Sequence, residues 1–305
     1  MSLLVVGSVA LDSVETPFAK HDDILGGSAS YFAAVASLLT PARVVAVVGE
    51  DFPEEHLAFL RERGNDLDGI SRAEGKTFRW AGRYLDNMVD RETLDTQLNV
   101  FEHFDPVLPD AYRDSRYVFL ANIMPALQRK VLDQIEGAEF VAIDTMNFWL
   151  VEPHREVLID VLSRCQVAFL NDEEARLLSG EHNLVKAAQA VRKLGLPHVI
   201  IKRGDAGAML FDDEGIFWAP ALPLTHVADP TGAGDSFAGG FMSYLARSGD
   251  TSPKGLRQAM IVGSATGSFA CEDFSVDRFR TLKTEELLKR CAAFDDLVSF
   301  EPIAL

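Results

Sequence analysis

The chain is poor in the residues that staple small secreted domains. Its 305 residues hold three cysteines, Cys165, Cys271 and Cys291, and no CxxC, so neither a disulfide framework nor a zinc cluster is supported, and a reducing cytoplasm is the expected location. Positive charge is also scarce. Forty-six acidic side chains face 29 basic ones, for a formal net charge of −17, a field that repels nucleic acid and anionic membrane in the absence of any basic patch. No run of about 18 apolar residues occurs, as a spanning helix needs, and the N-terminus has no basic stretch before its apolar segment, so the chain is expected to be soluble and unexported. Missing too are GxxxxGK[ST] and GxGxxG, which argues against a P-loop kinase and a dinucleotide oxidoreductase. The seven histidines are scattered without HExxH or any close pair, so no zinc site is expected. Repeats, low-complexity tracts and flexible linkers are likewise absent.

What remains is a composition of 48% hydrophobic and 25% charged residues, that of an ordinary globular chain. Short β-branched runs at 3–7, 43–49, 117–121, 140–144, 167–171 and 198–204 are apolar almost throughout, as strands covered on both faces are. Helix-period segments at 28–39, 54–63, 153–164, 172–179 and 183–194 lie between them. This succession predicts one α/β domain over 1–305 with a doubly wound, mostly parallel sheet, whose ligands sit beyond the carboxyl ends of the strands. Residues 76–101 alternate polar and apolar side chains and predict antiparallel strands. With 10–25 they would form a small lid, although an edge hairpin of the main sheet gives the same pattern. An alternating edge also permits pairing across a homodimer. The acidic runs at 212–215 and 294–296 read as solvated surface.

One stretch carries chemistry. In "DPTGAGDSFAGGFMSYLA", 229–246, Gly232 and Gly234 free the backbone to bend, so that the amides of Gly232, Ala233, Gly234 and Asp235 can converge on an anion at the start of a helix. A nucleotide would need such amides, with a few placed cations and a divalent metal, to overcome the net charge. Asp235 then has two readings that spacing leaves open: an N-terminal helix cap, or a general base that takes a proton from an attacking hydroxyl.

The segment resembles the signature of the ribokinase, or PfkB carbohydrate kinase, family, and other matches follow in that family's order across essentially the whole chain. The resemblance implies an ATP- and Mg²⁺-dependent kinase acting on a hydroxyl of a sugar or sugar-like molecule, with Gly232, Ala233 and Gly234 as anion hole and Asp235 as catalytic base. "GSVALD" at 7–12 resembles the family's first strand and places Asp12 on acceptor hydroxyls. "GGSASYFAAVASLL" resembles its Gly-Gly signature, giving Gly26, Gly27 and Tyr31 to the acceptor pocket. "NDEE" fits N-x-x-E, so Asn171 and Glu174 inherit nucleotide and magnesium handling, Glu174 through water. "IIKRGDAGAML" gives Lys202 and Gly204 to the nucleotide, with Thr231 beside them. Asp229 and Thr231 match half of a K⁺ site; the other half falls at 268–275, where Glu272 and Asp273 replace small residues. Ala10 and Tyr31 stand where many members have asparagine, so two sugar-contacting amides are missing and ribose is not indicated. Tyr31 could stack on a base or sugar face, or belong to the core. A nucleoside kinase of the adenosine type is therefore the alternative, followed by a cyclitol kinase and a nucleotide sensor without turnover. Arg79, Arg83 and Arg91 in the lid are expected to be solvent-exposed, although each has the length to reach a substrate.

Overall fold

A computed structural model describes residues 1–299 and Glu301. The chain opens with β1 (Leu3–Val6), passes through the antiparallel pair β2 (Ala10–Glu15) and β3 (Lys20–Gly26), and enters α1 (Ser28–Ala36). There follow β4 (Ala42–Gly49), α2 (Glu54–Glu62), β5 (Asp66–Ala73) and a second antiparallel pair, β6 (Arg79–Tyr84) and β7 (Arg91–Gln97). The alternation then continues through β8 (Tyr117–Leu120), α3 (Pro125–Leu132), β9 (Phe140–Asp144), α4 (Arg155–Ser163), β10 (Val167–Asn171), α5 (Asp172–Ser179), α6 (Leu184–Arg192) and β11 (His198–Lys202). Strands β12 (Ala208–Asp212) and β13 (Gly215–Ala219) precede a helical C-terminal part: α7 (Ala233–Ser248), α8 (Pro253–Ala270), α9 (Asp277–Thr281) and α10 (Thr284–Val298).

Nine strands form one sheet in the order β13-β12-β11-β10-β9-β8-β1-β4-β5, parallel from β5 to β11 and antiparallel at β12 and β13. Its central strands are buried along their whole length because each face meets a helical layer. Leu3 and Val5 pack with α1, α7 and α8, whereas the alternate Leu4 and Val6 pack with α4, α5 and α6. The six strand runs expected from the sequence are β1, β4, β8, β9, β10 and β11. Strand β5 escaped that reading because it is a half-exposed edge in which polar residues interrupt the apolar ones, DLDGISRA. The acidic run at 212–215 is the turn between β12 and β13, with Asp212 itself buried and bonded to the Glu214 amide at 2.8 Å. In the run at 294–296, Phe294 is core while the two aspartates face water.

The two antiparallel pairs make a separate four-stranded sheet, β3-β2-β6-β7, joined by a parallel pairing of β2 with β6. An edge hairpin of the main sheet is thereby excluded. One face of the small sheet turns toward the body: Val14, Ile24, Trp80 and Tyr84 pack with Phe274 and Ala228. The other face carries ion pairs of Arg83 with Glu15 at 2.9 Å and of Arg79 with Asp23 at 3.0 Å; Arg79 also reaches Asp51 at 2.7 Å. Among the described residues no helix is long and apolar enough to cross a membrane.

Candidate active site

Helix α7 starts from a bend that only glycine enters freely. Gly232 has φ +74°, and a Cβ there would lie 2.4 Å from the ring of Tyr31. Gly232 is the N-cap and makes no side-chain capping bond, so Asp235 stands in the first turn without serving as the cap. Ala233 donates its amide to the Pro230 carbonyl at 3.2 Å, which turns it inward. No backbone carbonyl among the described residues accepts from Gly232, Gly234 or Asp235. Three amides at a positive helix end are thus available to an anion, rather than the four expected.

Asp235 is half-buried at this bend. Loss of hydration, reinforced by the charge of Asp144 and opposed by Lys202 and Arg91, pushes its carboxyl up to about 7. Asp12, in β2, behaves alike: burial first, then Asp229, raise it to about 7 against the amide of Gly27. Gly26 is obligatory here, since a Cβ would fall 2.0 Å from the Asp12 carboxyl carbon, and Gly27, at φ +92°, closely approaches the Ser8 carbonyl as α1 begins. The charge of Asp235 adds to the rise at Asp12, so the two carboxyls lie near enough to interact.

At the other side of the cleft, Lys202 ends β11 with its Nζ 2.6 Å from Asp144 Oδ2. A Cβ on Gly234 would meet the same Nζ at 3.3 Å, so the ammonium flanks the bend. Burial alone would lower the Lys202 pKa, but Asp144, Glu174 and Asp235 together raise it. Asn171 and Glu174 form a capping box: each side chain accepts the other's amide at 2.8 Å. Glu174 is buried, and desolvation pushes it up to about 7 despite Lys202. Gly204, φ +54°, opens the loop after β11 with nothing within 4 Å of where a Cβ would stand.

Asp229 is wholly buried. Its Oδ1 takes the Thr231 amide at 2.8 Å, whereas Oδ2 has no partner, and desolvation raises its pKa. Thr231 Oγ1 meets the Tyr84 hydroxyl at 3.3 Å, which ties the bend to the small sheet. Glu272 turns to Arg278 at 2.9 Å and to Arg290, and Asp273 bonds the amide of Phe274.

One placement differs from what the sequence suggests, and Arg91 and Asp144 gain a part that it did not assign. Tyr31 is 1% exposed, with a ring face pressed on Gly232 and its hydroxyl unpartnered, so it props the bend from beneath instead of presenting a stacking face to a ligand. Arg91 is exposed, yet it lies 5.5 Å over the Trp80 ring, pairs in register with Tyr84, and lowers the pKa of Asp12, Asp235 and Glu174; its fellow lid arginines are held in ion pairs instead. Asp144 was not marked at all. The signal available was a lone acid closing the otherwise apolar strand FVAID, at the carboxyl end where ligands of such sheets bind.

A bend whose amides are free for an anion, with two carboxyls raised toward neutrality beside it, is an arrangement that suits phosphoryl transfer to an alcohol. Residues 20–280 match the model of the pfkB family of carbohydrate kinases, and the chain belongs to that family. Over 255 residues it is 31% identical to the cytidine kinase of Thermococcus kodakarensis, covering 81% of this chain and 89% of the relative. Its fold is also that of the Burkholderia thailandensis nucleoside kinase solved with inosine, at TM-score 0.76, 18% identity and coverage of 99% and 100% of the two chains. The aminoimidazole riboside kinase of Salmonella enterica, solved with aminoimidazole riboside and an ATP analogue, gives TM-score 0.73 at 18% identity over 95% and 100%.

Proposed function

We propose that this protein is an ATP-dependent kinase that phosphorylates a sugar hydroxyl of a nucleoside. The observation that carries the catalytic reading is Asp235, tuned to about 7 beside the amides of Gly232, Gly234 and its own backbone. A base with a pKa near the working pH is the effective kind. The acceptor hydroxyl loses its proton to Asp235 as its oxygen attacks the γ-phosphorus. The bond to the β,γ-bridging oxygen of ATP breaks, ADP leaves, and the amides take up charge on the transferring group. Asp12 orients the acceptor's hydroxyls. Lys202, the Gly204 loop and Thr231 hold the nucleotide's phosphates, and the small sheet serves as a lid that excludes water.

Kinases of this family use ATP with Mg²⁺. Such an ion would be held through phosphate oxygens and water beside Asn171 and the buried Glu174. When bound, it neutralises phosphate charge. The unpartnered, buried Asp229 Oδ2 suits a monovalent cation behind the bend.

The nucleoside is favoured over a free sugar by the relatives named above and by the aromatic lining of the lid. An assay of ADP release across pentoses, hexoses, cyclitols and nucleosides tests it. Turnover on nucleosides at least ten-fold above free sugars, the worth of one good recognition contact, is expected; preference for a sugar acid or cyclitol would overturn the acceptor, and no release with any acceptor would overturn the kinase.

A further inference from the structure

The register of the small sheet puts Trp80 of β6 opposite Asp12 of β2, and Gly82 opposite Val14. Trp80, Gly82 and Tyr84 share one face by strand alternation, the face that packs toward the body through Tyr84, Val14 and Phe274. On it the Trp80 indole lies down along its own strand. A Cβ on Gly82 would fall 2.2 Å from Cη2 and 2.4 Å from Cζ2, so only glycine lets the six-membered ring rest there. The indole nitrogen donates to Thr93 Oγ1 at 3.4 Å on β7, which fixes the ring's direction. Trp80 remains partly exposed, and the guanidinium of Arg91, a planar cation, stands 5.5 Å over it. Arg91 pairs in register with Tyr84 and has no carboxylate partner within ion-pair distance among the described residues.

A flat aromatic surface beside the carboxylate that holds the acceptor's hydroxyls needs a flat partner. We propose that Trp80 and Arg91 form the clamp for the acceptor's heterocyclic base: the base takes the indole face that Arg91 covers in the empty site, and the guanidinium, displaced from the ring and free of any acid, donates to a ring carbonyl or nitrogen. Trp80 and Arg91 are then the residues that select a nucleoside over a free sugar. A base has the π-face and acceptor atoms that this pair satisfies, and a sugar alone reaches Asp12 but leaves the clamp unused. Gly82 belongs to the same device, because any side chain there lifts the indole into the cleft. This inference rests on the nucleoside reading above.

Cytidine and D-ribose serve as probes. In wild-type protein without ATP, cytidine should quench tryptophan fluorescence, and the quench should vanish in Trp80→Phe while Trp149 and Trp218 still emit. In turnover assays, Trp80→Ala and Arg91→Ala should each raise the KM for cytidine about ten-fold, the worth of a single base stack, with the KM for ATP unchanged within about two-fold; activity on D-ribose should be unaffected in Trp80→Ala, whereas Arg91→Ala, which also removes a charge acting on Asp12 and Asp235, is read by its KM for cytidine. Trp80→Phe, which keeps a ring and the packing around it, should fall between wild type and Trp80→Ala. A cytidine KM unmoved in both alanine variants, or equal losses on cytidine and D-ribose in Trp80→Ala, would overturn the clamp and leave the kinase assignment standing. Saturable quenching by cytidine that survives in Trp80→Phe would overturn it as well. Loss of turnover on every acceptor would instead strike the kinase reading, and the ATP-free quench would still test the stack.

Discussion

The Lys202 ammonium bonds Asp144 at 2.6 Å, joining the ends of β9 and β11 across the intervening β10, while its other side flanks Gly234. Asp144 is nearly enclosed, with a side-chain exposure of 5% against 21% for Lys202. Removing the cation strands a buried carboxylate and leaves Glu174 and Asp235 without the positive charge that offsets them.

Lys202→Met is therefore expected to lower stability by about 2 kcal/mol, less than for a fully buried pair because water reaches the ammonium. It should also raise the KM for ATP about ten-fold or more, as losing a charged hydrogen bond does. Urea unfolding and steady-state kinetics check both. Stability within about 0.5 kcal/mol of wild type would class the pair as ordinary surface.

Gly232→Ala must place a methyl group 2.4 Å from the Tyr31 ring at a φ of +74°. Destabilisation of about 1–2 kcal/mol from backbone conformation alone, and loss of most activity, are expected. Tyr31→Phe should act in the opposite direction. Its hydroxyl is buried without a partner, so its removal should be neutral or stabilising by about 1 kcal/mol. A large loss of stability in Tyr31→Phe would show that the hydroxyl has a partner after all.

Stability and activity should respond to pH with opposite signs. Asp12, Glu174 and Asp235 are all pushed up to about 7, mainly by burial. Between the ordinary carboxyl range and neutrality the folded protein keeps protons that the unfolded chain has released. This contribution to stability is complete below the unfolded values and is lost as pH rises through 7. Asp51, Asp213, Asp250 and Glu286, whose pKa values are lowered, act only in the acid range, and His56 and His198, lowered by burial from 6.5, oppose the trend below that value but are two groups against three. The ligand-free protein should melt lower at about pH 8 than at about pH 5.5. Turnover should rise across the same window as Asp235 sheds its proton. A melting temperature that climbs with pH would place these carboxyls in hydrated surroundings.

How far the sequence speaks depends on what each feature needs. Strands β1, β4, β8, β9, β10 and β11 are legible because two helical layers demand apolar residues on both faces. The bend at 232 is legible because amide convergence and glycine go together. Tyr31 could not be oriented, since all nine residues of α1 are buried and its periodicity marks no face. Asp144 has its partner 58 residues away, and nothing local announces the pair. The N-x-x-E spacing at 171–174 is also that of a capping box, and the structure realises that helix-starting role. Trp80 and Gly82 sit two apart in an alternating stretch, where the pattern fixes a shared face but not which way it turns.

Potassium should activate. The Asp229 Oδ2 has no partner, and the stretch 271–275 after α8 is held nearby by the Ala228 amide, which donates to the Cys271 carbonyl at 2.8 Å, with Glu272 drawn off to Arg278 and Arg290. Replacing potassium by tetramethylammonium should cut turnover several-fold, and Asp229→Asn should abolish the difference. Equal rates in both salts would remove the cation from this account.

The central claim is that Asp235 takes the acceptor's proton at an amide-lined bend, and turnover of Asp235→Asn tests it most directly. With ATP and the preferred acceptor, kcat should fall by about two to four decades, the range of general acid–base catalysis, while ADP binds as in wild type. A kcat close to wild type would contradict the claim and leave Asp235 as no more than an acid in the first turn of a helix.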